Sequence, residues 1–173
     1  MNNTRKLVFM GLLVAAALAL SFVESFLPSP VLPGAKLGFA NLVTVAALCI
    51  FPRTRDAALV LVARVLLGGV FAGGASFLYS AAGAALSFGV MAFLERTGRF
   101  GIVVVSAAGG FFHNFGQLAM ASAVISSRAL WSYLPALGLA GLAAGLLVGI
   151  VVKGWMESAA WKHFIRIPDP EFK

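Results

Sequence analysis

Residues 109–118 read GGFFHNFGQL and carry three hydrogen-bonding side chains, His113, Asn114 and Gln117, within an uncharged stretch, Phe100–Ile125. Lipid offers no partner to an imidazole or an amide, so such groups must face protein, water or a ligand. His113 and Gln117 stand four residues apart and share a helix face, and Asn114 is the next residue round. Gly109, Gly110 and Gly116 flank them and would let a ligand or a second helix come close. This set can hold a polar or anionic group. A lone histidine makes no zinc site, however, and the same residues serve equally as bonds between helices.

Arg64 is the most costly residue, because AALVLVARVLLGGVF (Ala57–Phe71) puts it about halfway along an apolar helix. Either a structural salt bridge or an anionic ligand would account for it. Glu24, Lys36 and Asn41 lie at or near one end of their segments, and Tyr79 and Ser80 sit early in theirs. Glu24 could simply pair with Lys36 or Arg64. Asn41, like Gln117, could be interhelical glue.

The elements that must position these residues follow from composition. The chain has 173 residues, 61% hydrophobic and 11% charged, with mean hydropathy +0.98. A soluble domain of this size could not hide so much apolar surface, so a bilayer is its solvent. Cys49 is the single cysteine, which excludes an internal disulfide and a cysteine-based metal site. Six apolar segments emerge: about Lys6–Leu27, Leu37–Phe51, a third capped by Asp56 and running to Ala72, Phe77–Leu94, Phe100–Ile125 and Tyr133–Val152. The proline-rich PSPVLP closes the first, and Gly73–Ser76 is expected to break the third from the fourth. The first segment resembles a signal peptide but lacks a convincing cleavage site, and is expected to be a retained helix.

The expected fold is an all-α integral membrane protein, six transmembrane helices in one bundle. Residues 1–155 form the membrane domain and 156–173 a cytoplasmic interfacial tail. With both termini in the cytoplasm, Arg5, Lys6, Arg53, Arg55, Arg96, Arg99, Lys153, Lys162, Arg166 and Lys173 lie inside, and only Lys36 and Arg128 outside. That bias follows the positive-inside rule and accounts for the net charge of +7 without nucleic acid. Trp131, Tyr133, Trp155 and Trp161 fit aromatic belts. The expected location is the cytoplasmic (inner) membrane.

On this topology Glu24, Lys36, Asn41, Arg64, Tyr79, His113, Asn114 and Gln117 fall in the outer half of the bundle. One-sided polarity fits a pocket open to the outside, and the excess of cationic groups over one acid favours a ligand with an anionic group and an apolar body. Small residues recur every four positions, as Gly11, Ala15 and Ala19 near one end and Gly141, Gly145 and Gly149 near the other. Each stripe could pack within the bundle or dock a partner membrane protein. No P-loop, aspartate-rich diphosphate site, HExxH or GxSxG is present, so neither catalysis nor a resident cofactor is expected.

Three blocks, ESFLPSPVLPGAKLGFANLVT (Glu24–Thr44), RVLLGGVFAGGASFLYSAAGAALS (Arg64–Ser87) and GGFFHNFGQL (Gly109–Leu118), resemble a family known both as the Gx transporter family and as heptaprenyl diphosphate synthase component I. That family is similar to the S components of energy-coupling factor (ECF) transporters. The resemblance implies a six-helix subunit that binds a small ligand near the outer face, with ATP hydrolysed by partner ATPases. It also implies docking through Gly11, Ala15 and Ala19 on a transmembrane coupling subunit, and a redox-cofactor-like or isoprenoid ligand. The second family name implies instead a non-catalytic membrane subunit or scaffold supporting polyprenyl diphosphate or quinone synthesis, or a redox complex.

Overall fold

The computed structural model describes residues 3–26, 41–72 and 74–158. Leu, Ala, Val and Gly dominate these segments, and in lipid a chain must satisfy its backbone internally, so helices form. They are α1 (Asn3–Ser25), α2 (Asn41–Ile50), α3 (Thr54–Ala72), α4 (Gly74–Arg96), α5 (Ile102–Ile125) and α6 (Leu134–Glu157), with a 3-10 turn at Arg128–Tyr133 before α6. Among the described residues there is no strand. The chain is an all-α, multi-pass membrane bundle. Four helical stretches, Thr4–Glu24, Gly74–Arg96, Ile102–Ile125 and Arg128–Glu157, are long and apolar enough to cross a bilayer.

The turns are set by local chemistry. Gly98 adopts φ +62 and closes the α4–α5 turn, a backbone state open to glycine at little cost. Ser126 takes the left-handed conformation at the end of α5, where its N–H and that of Ser127 reach Ala123 O and Ser122 O. A proline stands in the first turn of α6, where a missing N–H costs nothing.

Some details differ from expectation. Helix α4 already includes Gly74, Ala75 and Ser76, since glycine and serine are well tolerated in membrane helices. Helix α6 continues to Glu157, past the expected end at Val152, and Lys153 and Glu157 stand 3.8 Å apart on its exposed last turn. Asp56 lies within the first turn of α3, not at its cap, and pairs with Lys6 of α1 at 2.5 Å. Residues 159–173, most of the expected tail, lie outside the described residues.

Packing is uneven. Helix α5 packs most extensively on α6 and then on α4, while α1 rests mainly on α3. Helix α2 is short and almost wholly buried, touching α1, α3, α4, α5 and α6. Its Val43, Val45, Ala46, Ala47 and Leu48 form the main apolar core with Val60, Met91, Val105, Val148 and Val152. A second, smaller cluster joins Tyr79 and Ala121 to Met120 and Leu130. On α5 the two are separated by Gly109–Gln117, and that interval holds the polar residues.

Candidate functional site

Two glycines bring α4 and α5 together at this level. A Cβ on Gly83 would lie 2.6 Å from His113 O and 2.8 Å from Gln117 Cγ, and one on Gly116 would lie 2.9 Å from Ala82 O. Any side chain there would push the backbones apart. His113 and Gln117 are therefore held at the crossing, 4% exposed each. Gln117 Nε2 lies 2.6 Å from His113 Nε2. The amide and the imidazole are thus in direct hydrogen-bond contact, the ring's donor or acceptor role following its tautomer.

One turn deeper, Asn41 at the start of the described part of α2 points Nδ2 at Met91 Sδ, 3.9 Å away. A Cβ on Gly109 would be 3.2 Å from the same Nδ2. Asn41 therefore approaches the α4–α5 pair immediately below His113, where the main core ends.

Arg64 enters from α3. Gly69 packs on the Phe77 ring, and counting five residues back along α3 and five forward along α4 brings Arg64 level with Ala82. Ala82 is the residue whose carbonyl meets Gly116, so Arg64 stands at the height of the His113–Gln117 pair. Its Nε and Nη2 are buried and meet no acceptor among the described residues. Glu24, 4% exposed, is the carboxylate whose charge acts on this guanidinium. Helices α1 and α3 run in parallel, since Lys6 pairs with Asp56 and Leu18 lies 3.7 Å from a Cβ built on Gly68. That register sets Glu24 ten residues beyond Arg64, roughly 15 Å along the axis.

Asn114 faces elsewhere. Its position, about 100° round from His113, directs Nδ2 to Leu137 O of α6 at 2.7 Å, while Oδ1 is buried without a donor among the described residues. It lies in the α5–α6 seam, where Gly110 meets Gly141, Ser106 meets Gly145 and Val103 meets Gly149. The stripe Gly141, Gly145 and Gly149 is thus used inside the bundle. Gly11, Ala15 and Ala19, with the same spacing, are all exposed on α1.

Tyr79 is buried in the smaller apolar cluster, about one turn from Gly83. Lys36 lies outside the described residues. Two residues escaped the sequence reading. Ser87 Oγ donates to Gly109 O at 2.8 Å and Ser106 Oγ to Gly145 O at 2.7 Å, both hydroxyls fully buried. Their signal was present: Ser87 follows Gly83 by four and Ser106 precedes Gly110 by four, which is the spacing of a close helix contact.

Among the described residues no cluster of three histidine, cysteine or acidic side chains could hold a metal. What the arrangement offers is a layer of neutral and cationic hydrogen-bonding groups between two apolar clusters. No curated protein and no solved structure matches the chain. A family model described as heptaprenyl diphosphate synthase component I matches residues 13–155, taking in α2 to α5 complete and most of α6, with Glu24, Asn41, Arg64, His113, Asn114 and Gln117. The chain therefore belongs to the heptaprenyl diphosphate synthase component I family.

Proposed function

We propose that this chain is a membrane-embedded, non-catalytic subunit of the cytoplasmic membrane that binds a small anionic or amphipathic ligand from the outer face for uptake. What supports this reading is a polar level between the main core and the small Tyr79–Ala121 cluster: Gln117 Nε2 lies 2.6 Å from His113 Nε2, and Arg64, with two buried and unpartnered nitrogens, stands at that height on α3. With both termini cytoplasmic, the thick core closes the inner side and the thinner cluster the outer side, which favours entry from outside. Lys36, Asn41 and Tyr79 would belong to the mouth and floor, and Asn114 would contribute through Oδ1.

Energy for uptake would come from partner subunits of the ECF type. Gly11, Ala15 and Ala19 suit the docking of a transmembrane coupling subunit: they are exposed, and nothing lies within 4 Å of a Cβ built on Gly11. Native mass spectrometry of gently extracted protein tests the ligand. A bound small molecule should accompany the wild type and be lost from Arg64→Ala and His113→Ala. The same occupancy in all three would sink the site assignment.

A second reading rests on the family description, which speaks of one component of a synthase. On it the chain is a membrane scaffold for polyprenyl diphosphate or quinone synthesis, and the polar layer only ties helices together. Partner capture abolished by Ala15→Leu/Ala19→Leu, with Arg64→Ala and His113→Ala fully active in cells, would favour this reading.

A further inference from the structure

The guanidinium of Arg64 is open in a particular way. Its unpartnered atoms are Nε and Nη2. On the planar guanidinium the Nε hydrogen and one Nη2 hydrogen project along the same edge, and that edge matches two oxygens of one carboxylate or phosphoryl group. Part of the residue is accessible, yet these two nitrogens are not, so protein and not lipid surrounds the edge. Glu24 acts on the charge of Arg64 but fills neither donor. A purely structural ion pair would use this edge first, because buried, unsatisfied charged donors are costly. Arg64 lies level with Ala82, at the crossing where Gly83 and Gly116 bring the backbones of α4 and α5 together beside His113 and Gln117.

We infer that the Nε–Nη2 edge of Arg64 is a bidentate seat for an oxyanion, a carboxylate or phosphoryl group carried by the ligand. This rests on the proposed reading of the polar layer as a ligand site and adds the ligand's chemical class. The His113–Gln117 pair then faces the remainder of the bound molecule. A lysine would keep the charge but lose the paired donors, which separates a bidentate seat from general electrostatic attraction.

The test uses the full chain, labelled with ¹⁵N-arginine, in phosphatidylcholine nanodiscs. The Nε–H resonance of Arg64 is assigned by its absence in Arg64→Lys. Inorganic phosphate and benzoate are titrated in separate samples, and a third set of nanodiscs contains phosphatidic acid. At least one oxyanion should move the Arg64 Nε–H signal downfield and saturate it, and bind Arg64→Lys at least ten-fold more weakly at an unchanged unfolding midpoint. Saturation by phosphate or benzoate supports a soluble ligand. Saturation by phosphatidic acid alone supports a lipid headgroup at the same seat. No shift with any oxyanion in the wild type overturns the seat, whether or not the lysine variant folds, and equal affinity in the two proteins does the same. A co-purified molecule retained by Arg64→Lys would overturn the seat and leave the ligand-binding reading standing. An oxyanion at Arg64 in protein that carries no co-purified molecule and moves none into proteoliposomes would support the seat and overturn the uptake reading.

Discussion

Asn114 and Gln117 show how three positions along one helix separate two kinds of work. Asn114 Nδ2 is committed to Leu137 O across the α5–α6 seam, whereas Gln117 stays on the α4 side with His113. Interhelical hydrogen bonds in membranes are worth about 0.6 kcal/mol on average and up to about 1.7. Asn114→Leu should therefore lower stability by about 1 kcal/mol, read as a lower thermal unfolding midpoint in detergent; an unchanged midpoint would mean that the bond to Leu137 contributes nothing. The shared face of His113 and Gln117 was legible from their spacing alone. The turning of Asn114 toward α6 was not, because spacing fixes which residues share a face but not which neighbour that face meets.

At the level of the helix, the two small-residue stripes teach the same lesson more sharply. Gly11, Ala15 and Ala19 have the same four-residue spacing as Gly141, Gly145 and Gly149, yet one stripe is exposed and the other is pressed against α5. A Cβ on Gly141 would collide with the Gly110 carbonyl, which as backbone cannot swing aside, while a Cβ on Gly11 meets nothing within 4 Å. Gly141→Ala should accordingly cost about 1–3 kcal/mol, the usual penalty for overpacking. Gly11→Ala should leave the unfolding midpoint unchanged, and a comparable loss at both positions would contradict this packing. The all-helical character was legible because lipid enforces long apolar stretches whose backbone is satisfied internally. The expected division between the third and fourth helices is present, α3 ending at Ala72, but Gly74–Ser76 already belong to α4, because a bilayer penalises glycine in a helix less than water does.

For the whole molecule, the order of layers is what gives the fold a direction. The main core, centred on α2, lies at the end where Lys6 meets Asp56, and the smaller cluster lies at the end where α5 turns at Ser126 into the 3-10 segment. Charge bias and helix count together suggested which end faces the cytoplasm, and depth along each helix suggested which polar groups share a level. The Gly69–Phe77 contact sets the height of Arg64 against α4, and no sequence rule specified that pairing. What the sequence left unread was the thickness of apolar packing on either side, since this depends on how deeply the short α2 is buried.

The central claim is that the polar layer is a site reached from outside. Cysteine accessibility tests it without knowledge of the ligand. In a Cys49→Ser background, a single cysteine is introduced as Gln117→Cys, with Ser127→Cys and Thr97→Cys as controls for the two loop ends. Intact cells are exposed to a small, charged, membrane-impermeant thiosulfonate. Gln117→Cys should react from outside, more slowly than Ser127→Cys, while Thr97→Cys reacts only after the cells are opened. A Gln117→Cys thiol that stays unreactive from outside, or reacts only once the cytoplasmic side is exposed, would contradict an outward-opening site.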